Sequence, residues 1–272
     1  MRQILLIFLI TNFSISMFAQ NVGQEGGDTL LNYKDINGLK QGKWIKKYIN
    51  GQVRYKGYFV DDVPKGDFYQ YDKKGNIKAK QYYFGDSLQC TTVLFYANGD
   101  TLASGKYYNK TKDSVWNYYN EKGQLMMTES YNKGTYDGDF IYYHENGSKW
   151  QYIHYTDGQK DGHWKRFYRN GNPMFETFYE NGMRQDTFKT FYPDGQVEVV
   201  VPYVNDLKHG KYVLYDRHGN VIETRVYKNG MPENADKLDK KETQRIDSLL
   251  QNRGRFDEPY DQGINFFKKD RY

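Results

Sequence analysis

Gly162-His163-Trp164-Lys165-Arg166-Phe167-Tyr168-Arg169-Asn170-Gly171 decides how this chain folds. Glycines bracket a short run of aromatic and basic residues with strand propensity. The closing glycine belongs to a series. Gly51, Gly75, Gly99, Gly123, Gly147, Gly171, Gly195 and Gly219 stand 24 residues apart without one insertion or deletion. Several occupy turn dipeptides, as in Tyr-Ile-Asn-Gly51, Glu-Asn-Gly147 and Tyr-Pro-Asp-Gly195. Self-similarity at a fixed period of this length marks a repeat architecture.

Other positions keep the same phase. Phe59, Tyr83, Tyr107, Tyr131, Tyr155, Tyr179, Tyr203 and Tyr227 form an unbroken aromatic column. A second column, Trp44, Phe68, Thr92, Trp116, Phe140, Trp164, Phe188 and Tyr212, is aromatic in seven of eight units. A third, Lys47, Tyr71, Phe95, Tyr119, Tyr143, Phe167, Phe191 and Tyr215, is aromatic in seven as well. Two residues before the second column stand Gly42, Gly66, Cys90, Ser114, Gly138, Gly162, Asp186 and Gly210, nearly all small. The units run 37–60, 61–84, 85–108, 109–132, 133–156, 157–180, 181–204 and 205–228, and Asn229-Gly230 opens a ninth.

A helix does not tolerate a glycine-bearing turn about every twelve residues, so each unit reads as a β-hairpin. Alternation such as Val53, Tyr55, Gly57, Phe59 gives each strand a preferred face. Consecutive hairpins predict an all-β, elongated, single-layer twisted antiparallel meander of about sixteen strands, roughly 75 Å long at about 4.8 Å per strand. A lone hairpin is marginal, so stability comes from neighbour stacking.

The pattern Gly-x-Trp-x-x-Tyr-Tyr-x-x-Gly followed by Tyr-x-Asn-Gly resembles the MORN repeat in its 24-residue bacterial variant. Residues 162–171 with Tyr179-Glu180-Asn181-Gly182 match it best, and the resemblance spans 37–230. It implies a twisted sheet used as a binding platform, with proteins or membrane lipids as partners. Many bacterial relatives in this branch carry an antitoxin-type label.

Composition agrees with an open sheet. Aromatics make up 18% of the chain while all hydrophobics together reach only 38%, leaving few aliphatics for a closed core. Disordered chains are poor in aromatics, so disorder is excluded. The lone cysteine, Cys90, rules out an intrachain disulfide framework and a cysteine-based zinc site. Arg2 and the apolar run 4–10 read as a signal peptide, residues 1–19, cut after Ala19. An exported protein, periplasmic, outer-membrane-associated or extracellular, is expected. Residues 20–36 read as a polar lead-in. Residues 231–272 read as a helical cap and tail, with a helix over 235–252 carrying Leu238, Ile246, Leu249 and Leu250.

No catalytic constellation is present in the sequence. The five histidines fall at unrelated repeat positions, and neither a nucleophile elbow nor a phosphate-cradling glycine loop occurs. Acidic pairs such as Asp137/Asp139 lie in turns, where Asp is ordinary turn chemistry. A non-enzymatic monomer without cofactor or metal is expected, and interleaved Tyr does not make an exported chain a nucleic-acid binder.

Charge is unevenly spread. Units one and two hold 11 basic and 4 acidic residues, a balance of +7, while the other six sum to −1. Lys46, Lys47, Arg54, Lys56, Lys73, Lys74, Lys78 and Lys80 are candidate anion-binding residues; an edge-protecting lysine cluster is the plainer alternative. Trp116, Trp150, Trp164 and Tyr143 are candidates for an aromatic binding face. Three readings follow: an exported scaffold binding a protein or envelope component through that face, a spacer rod, or a peripheral binder of anionic lipid through the basic units.

Overall fold

The structure is a computed structural model and describes residues 30–85 and 88–233. The signal segment 1–19, the helix over 235–252 and the tail beyond it lie outside the described residues. Among the described residues every regular element is a β-strand, and all belong to one sheet. Strand follows strand antiparallel, as in Gln159–Phe167 against Pro173–Glu180 and Pro173–Glu180 against Met183–Phe191. This is the expected meander.

Two turn chemistries alternate. Within units, the Gly171 amide donates to the Tyr168 carbonyl at 2.9 Å and the Tyr168 amide donates to the Asn172 carbonyl at 2.9 Å. That three-residue loop needs its last residue in the left-handed region, where Gly171 sits at φ +89°. The same two bonds close the turn at all eight phased glycines, which explains their spacing. Between units the chain reverses on two residues of positive φ, such as Asn205 and Asp206 at 50° and 65°. Turns of this mirror-image kind match the right-handed twist of the strands.

A bulge follows most between-unit turns. Gly57 pairs with Phe68 but its neighbour Tyr58 pairs with Lys65, leaving Gly66 and Asp67 extra. The first bulged residue takes positive φ at Gly66, Ser114, Gly138, Gly162, Asp186 and Gly210. The column that looks small in sequence is therefore selected by backbone conformation, which is why Asp186 stands in it. Cys90 departs: strand Ile77–Phe84 runs beside Gln89–Phe95 in unshifted register from Ala79 opposite Leu94 to Phe84 opposite Gln89. Four residues, 85–88, intervene there where other units use two, so the unit keeps its length without a bulge.

The sheet has 20 strands among the described residues, against the sixteen anticipated. The bulge splits two strands, into Thr135–Tyr136 with Gly138–Tyr143 and into Leu207–Lys208 with Gly210–Tyr215. Short strands also extend both ends. Met231–Pro232 starts the ninth unit, and Tyr33–Lys34 pairs with Lys40–Gln41 inside the segment read as lead-in.

Alternation sets the two faces. In Val53–Val60 the shielded residues are Val53, Tyr55, Gly57 and Phe59, while Arg54, Lys56, Tyr58 and Val60 are exposed. The shielded, inner face carries two buried clusters, one around Trp116, Tyr131, Phe140 and Ile153 and one around Val199, Val201 and Tyr212. Glycines make room for rings there. A Cβ on Gly57 would lie 2.3 Å from Phe68 Cδ2, and one on Gly105 would lie 2.4 Å from Trp116 Cδ2.

Candidate functional site

The four aromatic candidates do not form one exposed face. Trp116 has no exposed surface at all: it lies over Gly105, beside Tyr107 and Tyr118, and its indole N–H donates to the Lys106 carbonyl at 2.9 Å. This corrects the expectation that Trp116 is available for binding; glycine on the preceding strand lets a one-layer sheet cover a ring completely. Trp164 is half-buried against Phe175 at 5.0 Å, and Trp150 stands edge-on to Tyr142 with the Arg166 guanidinium 4.8 Å from its ring. Tyr143 alternates with buried Tyr142 and lines a shallow recess with Gln124, Leu125 and Gly147.

A repeated cation covers the inner rings. Lys40 reaches 4.8 Å from the Phe59 ring, Lys112 4.9 Å from Tyr131, Lys160 4.5 Å from Trp164, Arg184 4.5 Å from Tyr203 and Lys208 5.1 Å from Tyr227. These five residues occupy one repeat position, four before the second aromatic column, and cations over rings contribute about 0.5–2 kcal/mol each. The period held this signal, but Pro64, Leu88 and Tyr136 interrupt the column and hide it.

At unit four the cation also meets a buried carboxyl. Glu129 is 1% exposed and accepts from the Tyr118 hydroxyl at 2.6 Å, the Tyr131 hydroxyl at 2.7 Å and Lys112 Nζ at 3.1 Å, while Lys112 also donates to the Tyr118 hydroxyl. Burial, and then the Glu129 charge, pushes both phenols above their ordinary range. A buried carboxyl held by two hydroxyls and a lysine is a satisfied polar network. Among the described residues no group of three or more His, Cys, Asp or Glu is placed to hold a metal.

The basic candidates divide by position. Lys56 and Lys80 flank Tyr69 in direct register across three strands of the outer face, their ammonium groups 5.0 and 5.7 Å from the ring. Lys47 lies at the strand end, paired with Val53. Arg54 and Lys78 are the unpaired residues at the register shifts next to the turns, Lys46 is opposite Tyr55 on the inner-face parity, and Lys73 and Lys74 sit in the turn closed by Gly75. All eight are exposed. Sequence reasoning missed the tyrosines among them: Tyr58 and Tyr82, 46% and 51% exposed, stand on the same outer face. The carboxylate of Asp67 on that face accepts the Tyr69 hydroxyl at 3.2 Å, and among the described residues neither Lys56 nor Lys80 pairs with a carboxylate. The outer face of units one and two is thus a cationic strip with exposed phenols.

Comparison with known proteins bears on the last four units. The family described as MORN repeat variant matches residues 136–157, 160–181, 187–205 and 208–229. No curated protein matches the chain. Among solved structures it is similar to a mutant of S. aureus TarM in complex with fondaparinux, alpha-GlcNAc-glycerol and UDP, at 9% identity, 35% of this chain, 19% of that one and a TM-score of 0.28. It is also similar to a GtfA/B complex bound to UDP and GlcNAc, at 15% identity, 63% of this chain, 26% of that one and a TM-score of 0.15. The chain spans about a fifth and about a quarter of those two proteins, and superpositions this loose carry no argument about fold or activity.

Proposed function

The chain is a MORN-repeat protein, and we propose that it is an exported, non-enzymatic scaffold that binds an anionic component of the cell envelope through the outer face of its first two units. The single observation that carries this reading is the Lys56–Tyr69–Lys80 ladder, with exposed Tyr58 and Tyr82 beside it and no carboxylate among the described residues paired to either lysine. Lysine supplies long-range attraction to anionic headgroups, and phenols sit at a headgroup boundary with one end apolar and one end wet. The aromatic inner face supports the reading differently from its role in the sequence: its rings hold the rod together and leave the outer face to meet the partner. Export rests on the N-terminal basic and apolar segments.

Vesicles of phosphatidylglycerol mixed with phosphatidylcholine test this. The full chain is expected to sediment with them, to release as salt rises, and to ignore pure phosphatidylcholine. Lys56→Glu with Lys80→Glu should abolish co-sedimentation while circular dichroism stays unchanged. Equal binding to neutral vesicles, or undiminished binding by the folded double variant, sinks the proposal.

A further inference from the structure

Rings on the inner face form a relay. Trp44 meets Phe59 at 6.3 Å between centroids, Phe59 meets Phe68 at 5.9 Å, and Phe68 meets Tyr83 at 5.9 Å. It resumes with Tyr107 against Trp116 at 4.8 Å. In this pattern a second-column ring touches the first-column ring before it and the one after it, as Phe68 touches Phe59 and Tyr83. Between Tyr83 and Tyr107 the second-column residue is Thr92, the only non-aromatic member of its column. The two tyrosines flank this strand in register, both opposite Cys90.

The missing ring leaves space. A recess of about 660 Å³ opens on the inner face here, floored by Ala79, Gln81, Cys90 and Thr92 and walled by Tyr83 and Tyr107. Its volume lies within the range of small-molecule sites, about 300–1,000 Å³. Every departure of unit three contributes. Thr92 replaces a ring, Cys90 replaces the bulge residue, and Leu88 takes the place of the covering cation. The floor is polar where neighbouring units have glycine: Gln81 stands in the repeat position of Gly57 and Gly105. Gln81 Nε2 donates to Thr92 Oγ1 at 3.4 Å, a long contact, and to Cys90 Sγ at 3.6 Å, while its Oε1 accepts from Gln70 at 3.0 Å and from the Tyr83 hydroxyl at 3.5 Å. The 3.4 Å bond is weak and yields to a better-placed partner.

We propose that this recess binds one polar-edged aromatic ring, a phenol or an indole, which completes the relay between Tyr83 and Tyr107 and donates its O–H or N–H to Thr92 Oγ1, a phenol oxygen also accepting from Gln81 Nε2. Phe68 and Trp116 lie over Gly57 and Gly105; with Gln81 at that position, the bound ring lies above the Gln81 and Thr92 side chains between Tyr83 and Tyr107. Edge-to-face contacts on two tyrosines supply the aromatic selectivity. The polar floor supplies preference for a ring that can hydrogen-bond, because such a ring adds a bond to Thr92 or replaces the long Gln81–Thr92 contact, which an apolar ring cannot do. This inference stands independently of the envelope-binding reading, since the recess lies on the opposite face.

Indole titrated into the full-length protein, followed by calorimetry, tests it. Saturable binding at one site is expected, and toluene should bind about tenfold more weakly. A Gly-Trp-Gly peptide distinguishes sources: binding as tight as indole indicates a ring presented by a polypeptide, whereas binding of indole alone indicates a free small aromatic, and either supports the site. Thr92→Trp with Gln81→Gly rebuilds the ring over glycine that fills the neighbouring units, so the double variant should fold and lose indole binding. Thr92→Val keeps the shape and should weaken indole while leaving toluene unchanged. Absence of saturable indole binding to the wild type overturns the proposal. So does unaltered binding in both folded variants, or saturable binding of methyl glucoside in place of indole.

Discussion

Units three and four, residues 85–108 and 109–132, have the same length and the same turns at Gly99 and Gly123, yet they solve the inner face in opposite ways. Unit four bulges at Ser114, lays Trp116 over Gly105 and covers the ring with Lys112. Unit three has no bulge between Ala79–Leu94 and Phe84–Gln89, Thr92 in place of the second-column ring and Leu88 in place of the covering cation. The three features are physically linked. In an unbroken strand, residues four apart are roughly 13 Å distant. The bulge draws two residues out of the ladder, and Lys112 Nζ then reaches 5.4 Å from the centre of the Trp116 ring. Losing the bulge removes the geometry that places the cation, so the cover and the bulge disappear together while the period survives. A perfect sequence period can therefore hide a change of local register.

The largest break in that comparison comes from the second aromatic column itself. Trp116→Ala should cost about 3–5 kcal/mol, the range for deleting a buried large aromatic. Thr92→Ala, at the equivalent position, should cost under about 1.5 kcal/mol, since only two weak hydrogen bonds, with Gln81 and Cys90, and little volume are lost. Urea denaturation of the two variants checks this. Equal losses would mean that the column, rather than the local packing, sets stability.

The small-residue column gives a smaller and sharper contrast, because one nominally conservative change should have opposite signs in the two units. Ser114 holds φ 58°, a conformation that costs an L-residue about 1–2 kcal/mol. Ser114→Gly should therefore raise stability by about 0.5–1 kcal/mol after the added chain entropy is counted. Cys90 sits in a regular strand at 3% exposure, so Cys90→Gly should lower stability by at least about 0.5–1 kcal/mol, although it restores the commonest residue of the repeat. Paired thermal melts decide the signs. A gain from Cys90→Gly would indicate that the strand can adopt the bulged register after all.

These cases show which parts were legible beforehand. The phased glycines dictated the hairpins, because a three-residue loop ending in a left-handed residue admits little else, and the aromatic columns followed from strand alternation. Parity tells that Trp116 and Arg54 point to opposite faces, but it does not tell which face is covered, so Trp116 was taken as exposed. Burial depends on Gly105 one strand away, a cross-strand relation that no single column displays. The bulge is a matter of register and leaves composition almost untouched; Ser114 and Asp186 looked like noise among glycines. The lysine cluster was visible as a count, but Tyr69 between Lys56 and Lys80 emerges only from pairing. Thr92 was visible as an exception, and its consequence appears only where Tyr83 and Tyr107 come to flank it.

The two units also begin their turns differently, and this gives the smallest test. Unit three starts on Tyr96, whose hydroxyl donates to the Tyr119 carbonyl of the next unit at 2.8 Å, tying the two units together. Unit four starts on Asn120, whose side-chain oxygen accepts from the Lys122 and Gln124 amides of its own turn, both at 3.0 Å. The last unit has Asp216 at this position. The Asn220 side-chain amide, and then the Asn220 backbone amide, hold the Asp216 carboxyl below its ordinary value. A depressed folded value means that the stabilisation is present above the unfolded value, about 3.9, and is lost as pH falls through the lower folded one. Gln124 accepts from Asn120 Nδ2 and donates to the Glu145 carbonyl, whereas Asn220 donates to Asp216. Asn120→Asp, keeping the Lys122 and Gln124 backbone amides and turning the Gln124 amide to donate, should import that behaviour: little change in stability at neutral pH and a new loss below about pH 4. Carboxyl carbon chemical shifts should show Asp216 of the wild type, and the new carboxyl of the variant, both titrating below about 3.9. If the introduced group titrates at the ordinary value while Asp216 does not, the Asn120 turn binds its cap by shape alone, and the two units differ by less than their first turn residues suggest.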